Sequence, residues 1–156
     1  MKAIVLIGSK ADLDYAREIA EKLKLFGIES ELRIASAHKT PEYLLEILKS
    51  YENEEVIFIT IAGRSNALSG FVDANTLKPV IASPPYSDKF AGVDLFSSIR
   101  MPSGVAPMLV LEAENTALAV AKIFAMKDES VRKAVKDYQR KKKEEIIKAD
   151  RGADHG

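Results

Sequence analysis

Ala3-Ile4-Val5-Leu6-Ile7-Gly8-Ser9-Lys10-Ala11-Asp12 sets an unbroken apolar run against a short polar loop, and Leu13, Ala16, Ile19, Ala20 and Leu23 then recur at helical spacing. A short apolar run closed by glycine reads as a strand covered on both faces, and the following period reads as an amphipathic helix. Gly27 is its C-terminal stop. The same alternation recurs along the chain. Strands are expected at 3–7, 31–35, 56–61, 80–82 and 108–111. A second helix is expected from 41 to about 51, carrying Leu44, Leu45 and Leu48 inward, a shorter third over 68–75 and a fourth over 114–125. Strand and helix in alternation predict an α/β fold, a three-layer parallel sheet with helices on both faces.

The chain's 156 residues, 47% hydrophobic and 29% charged, can close one core and leave no room for a second. The expectation is a single domain over 1–156, with its core in 1–127. Lysine and arginine number 23 and so do aspartate and glutamate. With no global field, neither nucleic acid nor an anionic membrane is an expected partner, and an anion must be held by local geometry. The absence of cysteine excludes disulfides, thiol nucleophiles and cysteine metal sites. The opening MKAIVLIGSK turns polar too soon for a signal peptide or membrane span, so the expected location is cytoplasmic.

A last helix is expected from 128 to about 149. Its apolar Val131, Ala134, Val135, Tyr138, Ile146 and Ile147 are divided by the charged run Arg140-Lys141-Lys142-Lys143-Glu144-Glu145. The middle turn cannot be core, so the helix either lies on its own domain at both ends or projects onto a neighbouring subunit. The lysine run reads as a solvated face. Residues 151–156 read as a disordered tail, which discounts His155.

Unusual loops follow the expected strands: Gly8 to Asp12, then Ser36-Ala37-His38-Lys39, then Ala62-Gly63-Arg64-Ser65-Asn66-Ala67-Leu68-Ser69-Gly70, then Ser83-Pro84-Pro85-Tyr86-Ser87-Asp88. In a parallel sheet all of them emerge at the carboxyl edge, where open α/β folds bind ligands. Each also has a plainer reading. Ser9 and Asp12 have capping-box spacing, or they offer a hydroxyl to phosphate and a carboxylate to a sugar diol; position alone does not choose. Thr40 and Pro41 suit an N-cap and a first helical residue, which leaves His38 and Lys39 on the loop. That loop is either a polar helix entry or a proton-transfer site beside an anion. Arg64, Ser65 and Asn66 either decorate a turn or line a pocket that Gly63 and Gly70 let a ligand approach closely.

Other chemistries find no motif. Ala125-Met126-Lys127-Asp128 resembles a biotin-attachment fragment, but it ends a helix instead of forming a turn between strands. No GxxxxGK[ST] or GxGxxG loop implies ATP or a dinucleotide, no ligand set implies zinc, and no nucleophile elbow is present. No cofactor and no metal are expected.

Gly8-Ser9-x-x-Asp12, Ser36-Ala37-His38-Lys39-Thr40-Pro41, Ala62 to Gly70 and Ser97-Ser98-Ile99-Arg100-Met101-Pro102-Ser103-Gly104, in this order, resemble the aminoimidazole ribonucleotide carboxylase family of purine biosynthesis. The resemblance runs from Met1 to about Ala125 and implies a flavodoxin-like fold. Class I members, mutases that move a carboxyl group within N5-carboxyaminoimidazole ribonucleotide, typically read AGxAAHLPG in the third block. This chain has Ala67 in place of that histidine and Ser69 in place of the proline, so it resembles class II, which joins aminoimidazole ribonucleotide and free CO2 without ATP, biotin or metal. Ala11 departs from the serine of many members.

The resemblance implies His38 as the catalytic proton carrier. It also implies Gly8, Ser9, Asp12, Ser36, Ala37 and Lys39 around the ribose 5'-phosphate, with Gly63, Arg64, Ser65, Asn66, Ala67 and Leu68 over the base and CO2. It implies a homo-oligomer, a tetramer or octamer, with the C-terminal helix on a neighbour. The rival readings are the mutase and, from another class, a non-enzymatic phosphate- or nucleotide-sensing module.

Overall fold

The structure is a computed structural model, and it describes residues 1–87 and 91–153. Strands β1 (Lys2–Ile7), β2 (Glu29–Ile34), β3 (Val56–Ile61), β4 (Val80–Ala82) and β5 (Met108–Leu109) form one sheet in the order β2-β1-β3-β4-β5. All four pairings are parallel. The α-helices among the described residues are α1 (Leu13–Lys24), α2 (Pro41–Ser50), α3 (Ala67–Ala74), α4 (Ala113–Phe124) and α5 (Glu129–Gly152). This is the flavodoxin-like order, in which the chain winds one way from β1 to β2 and the other way from β3 onward. The reversal lies between β1 and β3.

Alternation along the strands divides the interior into two cores. Ala3, Val5, Ile7, Ile57, Ile59, Ile61 and Ile81 face α1 and α4, together with Val131 and Val135 of α5. Ile4, Leu6, Phe58 and Val80 face the other way, against Leu44, Ile47 and Leu48 of α2 and Leu68 and Val72 of α3. Each valine, leucine, isoleucine and phenylalanine among them contributes roughly 1.5–3 kcal/mol by leaving water. All six residues of β3 are buried, as a central parallel strand requires. The edge strand β2 is polar. Its Glu31 accepts from the Tyr51 hydroxyl at 2.5 Å and pairs with Lys2, and charge of this kind discourages edge-to-edge pairing.

Several boundaries differ from expectation for physical reasons. β2 begins at Glu29, because an edge strand with one solvated side lacks the continuous apolar run that would mark its start. β5 stops at Leu109, where Val110 still donates its N–H to Ala82 but the chain then turns. On α2 it is Ile47 that is fully buried, and Leu45 is only half-buried. α5 runs to Gly152, so Arg151 and Gly152 are helical and not part of a tail. His155 lies outside the described residues.

The first half of α5 docks on its own domain. Val131 and Val135 are buried, and Phe26 and Tyr138 meet edge to face at 5.2 Å. Glu114 of α4 accepts from the Tyr138 hydroxyl and from Lys142 Nζ at 2.8 Å. From Lys141 onward the described helix is exposed, including Ile146 and Ile147.

Candidate active site

Ile7 lies opposite both Ile34 and Ile61, so the chains leaving β2, β1 and β3 emerge side by side at one level of the sheet. With parallel strands about 4.8 Å apart, the loops carrying Ser36 to Lys39, Gly8 to Asp12 and Gly63 to Asn66 are neighbours over the winding reversal. The Gly8 N–H donates to Ile61 O at 3.1 Å, and a Cβ at Gly8 would contact Ala62 and Leu68 at 3.9–4.0 Å. A small residue here keeps the β1 loop against the β3 loop.

Ser9 caps a 3-10 turn, Lys10–Asp12, by accepting from the Ala11 N–H at 3.2 Å. That bond occupies a lone pair and leaves the Ser9 O–H free to donate, which is the function an anion needs. Asp12 occupies the N-cap position of α1 but makes no capping bond, so the reciprocal capping box is not formed. Burial pushes its carboxyl up from the ordinary range.

The β2 loop closes on itself. The Ser36 N–H donates to Thr40 Oγ1 at 3.0 Å and the Thr40 N–H to Ser36 O at 2.9 Å. Thr40 therefore staples the loop instead of capping α2, where it makes no side-chain cap bond. Ser36 Oγ accepts from the Lys39 N–H at 3.3 Å and, like Ser9, keeps its proton for a ligand. Ala37, His38 and Lys39 form the turn, and His38 and Lys39 are exposed. Neither side chain has a hydrogen bond or ion pair to the described residues.

The β3 loop is anchored from the segment before β5. Arg64 adopts a left-handed φ of 57°, and its N–H donates to Asp94 Oδ2 at 3.2 Å. Asn66 is buried and caps α3 by accepting from the Ser69 N–H at 3.1 Å, while its amide donates to Ser98 Oγ at 2.8 Å. Ser69 bonds Thr60 at 2.8 Å. Asn66 and Leu68 thus hold the loop's shape from within, Gly63 and Ala67 are half-buried, and the Arg64 and Ser65 side chains are exposed. A Cβ on Gly63 would approach Asp94 at 3.6 Å and Pro85 at 3.9 Å, and one on Gly70 would press Met101 at 3.1 Å. The anchoring residues Asp94, Ser97 and Ser98 belong to a 3-10 turn, Val93–Ser98, that no periodicity announces. Of the β4 loop, Asp88 lies outside the described residues.

Among the described residues no group of three metal-ligating side chains occurs, and no helix is long and apolar enough to cross a membrane. The arrangement combines hydroxyl donors and helix N-termini for an anion with one imidazole and a glycine-framed loop alongside.

Comparison with known proteins bears on the family and the fold. The chain is 73% identical over 150 residues to phosphoribosylaminoimidazole carboxylase of Archaeoglobus fulgidus, covering 96% of this chain and 83% of that one. It is 41% identical over 149 residues to N5-carboxyaminoimidazole ribonucleotide mutase of Methanocaldococcus jannaschii, covering 94% and 93%. The crystal structure of Treponema denticola PurE superposes with a TM-score of 0.93 at 51% identity, covering 95% of both chains. The model of the AIR carboxylase family matches residues 2–145, and the chain belongs to that family.

Proposed function

We propose that this protein carboxylates 5-aminoimidazole ribonucleotide with free CO2 to give 4-carboxy-5-aminoimidazole ribonucleotide in de novo purine biosynthesis, reversibly, with His38 as general acid and base. The ring carbon of the aminoimidazole is enamine-like and attacks CO2 once both are held together in a site that excludes competing water. A carbon–carbon bond forms, and the proton left on that carbon passes to the His38 imidazole and on to solvent. Decarboxylation runs the same path backward. Ser9, Ser36 and Lys39 hold the 5'-phosphate, Asp12 accepts from the ribose hydroxyls, and residues 63–68 cover the base and CO2. No cofactor or metal takes part. The enzyme works as a cytoplasmic homo-oligomer.

The observation that carries this reading is the β3 loop. Ala67 and Ser69 stand where the mutase-type block has a histidine and a proline, and Ser69 is fully buried against Thr60 and Asn66. Among the described residues His38 is thus the single imidazole at this edge. The 41% identity to a protein named as a mutase supports a second reading, rearrangement of the N5-carboxy substrate on the same scaffold. His38→Asn tests the proton role directly: ribonucleotide binding by calorimetry should persist while turnover falls by roughly 10²- to 10⁴-fold. Retained turnover would remove His38 from the mechanism.

A further inference from the structure

Tyr15 of α1, Ser83 after β4 and Thr116 of α4 are joined by hydroxyls. The Tyr15 OH lies 3.0 Å from Ser83 Oγ, Ser83 Oγ lies 2.7 Å from Thr116 Oγ1, and Thr116 Oγ1 donates to Val110 O at 3.4 Å. Ser83 and Thr116 are completely buried. With Val110 O as final acceptor, one direction satisfies every member: Tyr15 donates to Ser83, Ser83 to Thr116, and Thr116 to the carbonyl. Burial pushes the Tyr15 phenol up, which keeps it a donor at neutral pH.

The chain of hydroxyls ties α1, the residue after β4 and α4 together. Tyr15 lies one turn beyond Asp12. Ser83 is followed by Pro84 and Pro85, whose rings fix φ and restrict the residue before each, so that turn is stiff within itself. Its placement is what remains to be set. Pro85 sits beside Gly63 at 3.9 Å from the position of a Cβ, while the Ser83 N–H donates to Thr60 O at 2.9 Å. Apolar side chains would fill the same interior volume without the cost of matching three hydroxyls. They would fix no direction between α1, β4 and α4.

We infer that Tyr15, Ser83 and Thr116 are positioning residues that set the Ser83-Pro84-Pro85 turn against Gly63, and so shape the end of the pocket that takes CO2 rather than the end that takes the sugar-phosphate. This rests on the carboxylase reading of the site. The test is steady-state kinetics of the full-length wild type, Tyr15→Phe, Thr116→Val and Thr116→Ser, varying the ribonucleotide and dissolved CO2 separately, with thermal unfolding in parallel. Tyr15→Phe and Thr116→Val should raise the KM for CO2 about tenfold and leave the KM for the ribonucleotide within about twofold, because a displaced wall mispositions one reactant only. Thr116→Ser keeps the hydroxyl and should restore the wild-type value. Variants whose melting temperatures drop while both KM values stay unchanged, or move together, would overturn the inference and leave the carboxylase reading standing. A wild type that does not carboxylate the ribonucleotide would overturn that reading and this inference with it.

Discussion

His38 owes its position to bonds made across its own loop. The paired Ser36 and Thr40 bonds close the loop beneath it, so the imidazole stands on a turn fixed at both ends. Glu112 shows a different use of local geometry. Its φ of 68° and ψ of 142° fall where side chains are strained, and its carbonyl nevertheless accepts from the Thr116 N–H at 2.9 Å to start α4. Glycine relieves that strain and is acceptable at an N-cap, so Glu112→Gly should raise unfolding stability by about 1 kcal/mol in urea titration. A loss of stability would mean that the Glu112 side chain supplies more than the strain removes. Single residues were also where sequence reading reached its limit. Ser9, Ser36, His38 and the glycines were legible from their type and their place after strands. That Thr40 staples a loop instead of capping a helix was not, because one hydroxyl can satisfy either pattern and only the backbone chooses. Nor was the Tyr15–Ser83–Thr116 chain, whose members are 68 and 33 residues apart and each ordinary alone.

Among the elements, periodicity located every strand and helix of the sheet layers, since burial on one or both faces imposes it. It located the ends less well where an element meets solvent, as at β2 and α5. The half-docked α5 has an electrostatic clamp that yields a pH prediction. Glu114 is held down to about 2 from an ordinary 4.5, chiefly by the Lys142 ammonium and then by the Tyr138 hydroxyl. A carboxyl lowered in the folded state contributes its stability fully above its unfolded value and loses it as pH falls toward the folded one. The thermal midpoint should therefore fall between pH 4.5 and about 2 more steeply for the wild type than for Glu114→Gln. The difference should shrink in high salt, because Glu114 is about one-third and Lys142 about one-half exposed. Identical pH profiles would show that the clamp contributes nothing.

For the whole molecule, the parallel order places the loops of β2, β1 and β3 together, and that topology is what joins sequence blocks tens of residues apart into one site. The same order leaves the second half of α5 exposed with Ile146 and Ile147 at its surface. We propose that this half packs on a neighbouring copy, so deletion after Lys143, which keeps the docked half with Val131, Val135, Tyr138 and Lys142, should reduce the mass measured by light scattering, and an unchanged oligomer would argue against that role. In the proposed reaction the new carboxyl group comes from dissolved CO2. Wild-type protein given aminoimidazole ribonucleotide and carbon-13-labelled CO2, followed by carbon NMR, should place the label in the ring carboxylate of the product. Unlabelled ribonucleotide that stays unreacted, while the N5-carboxy substrate is converted by the same preparation, would contradict the account.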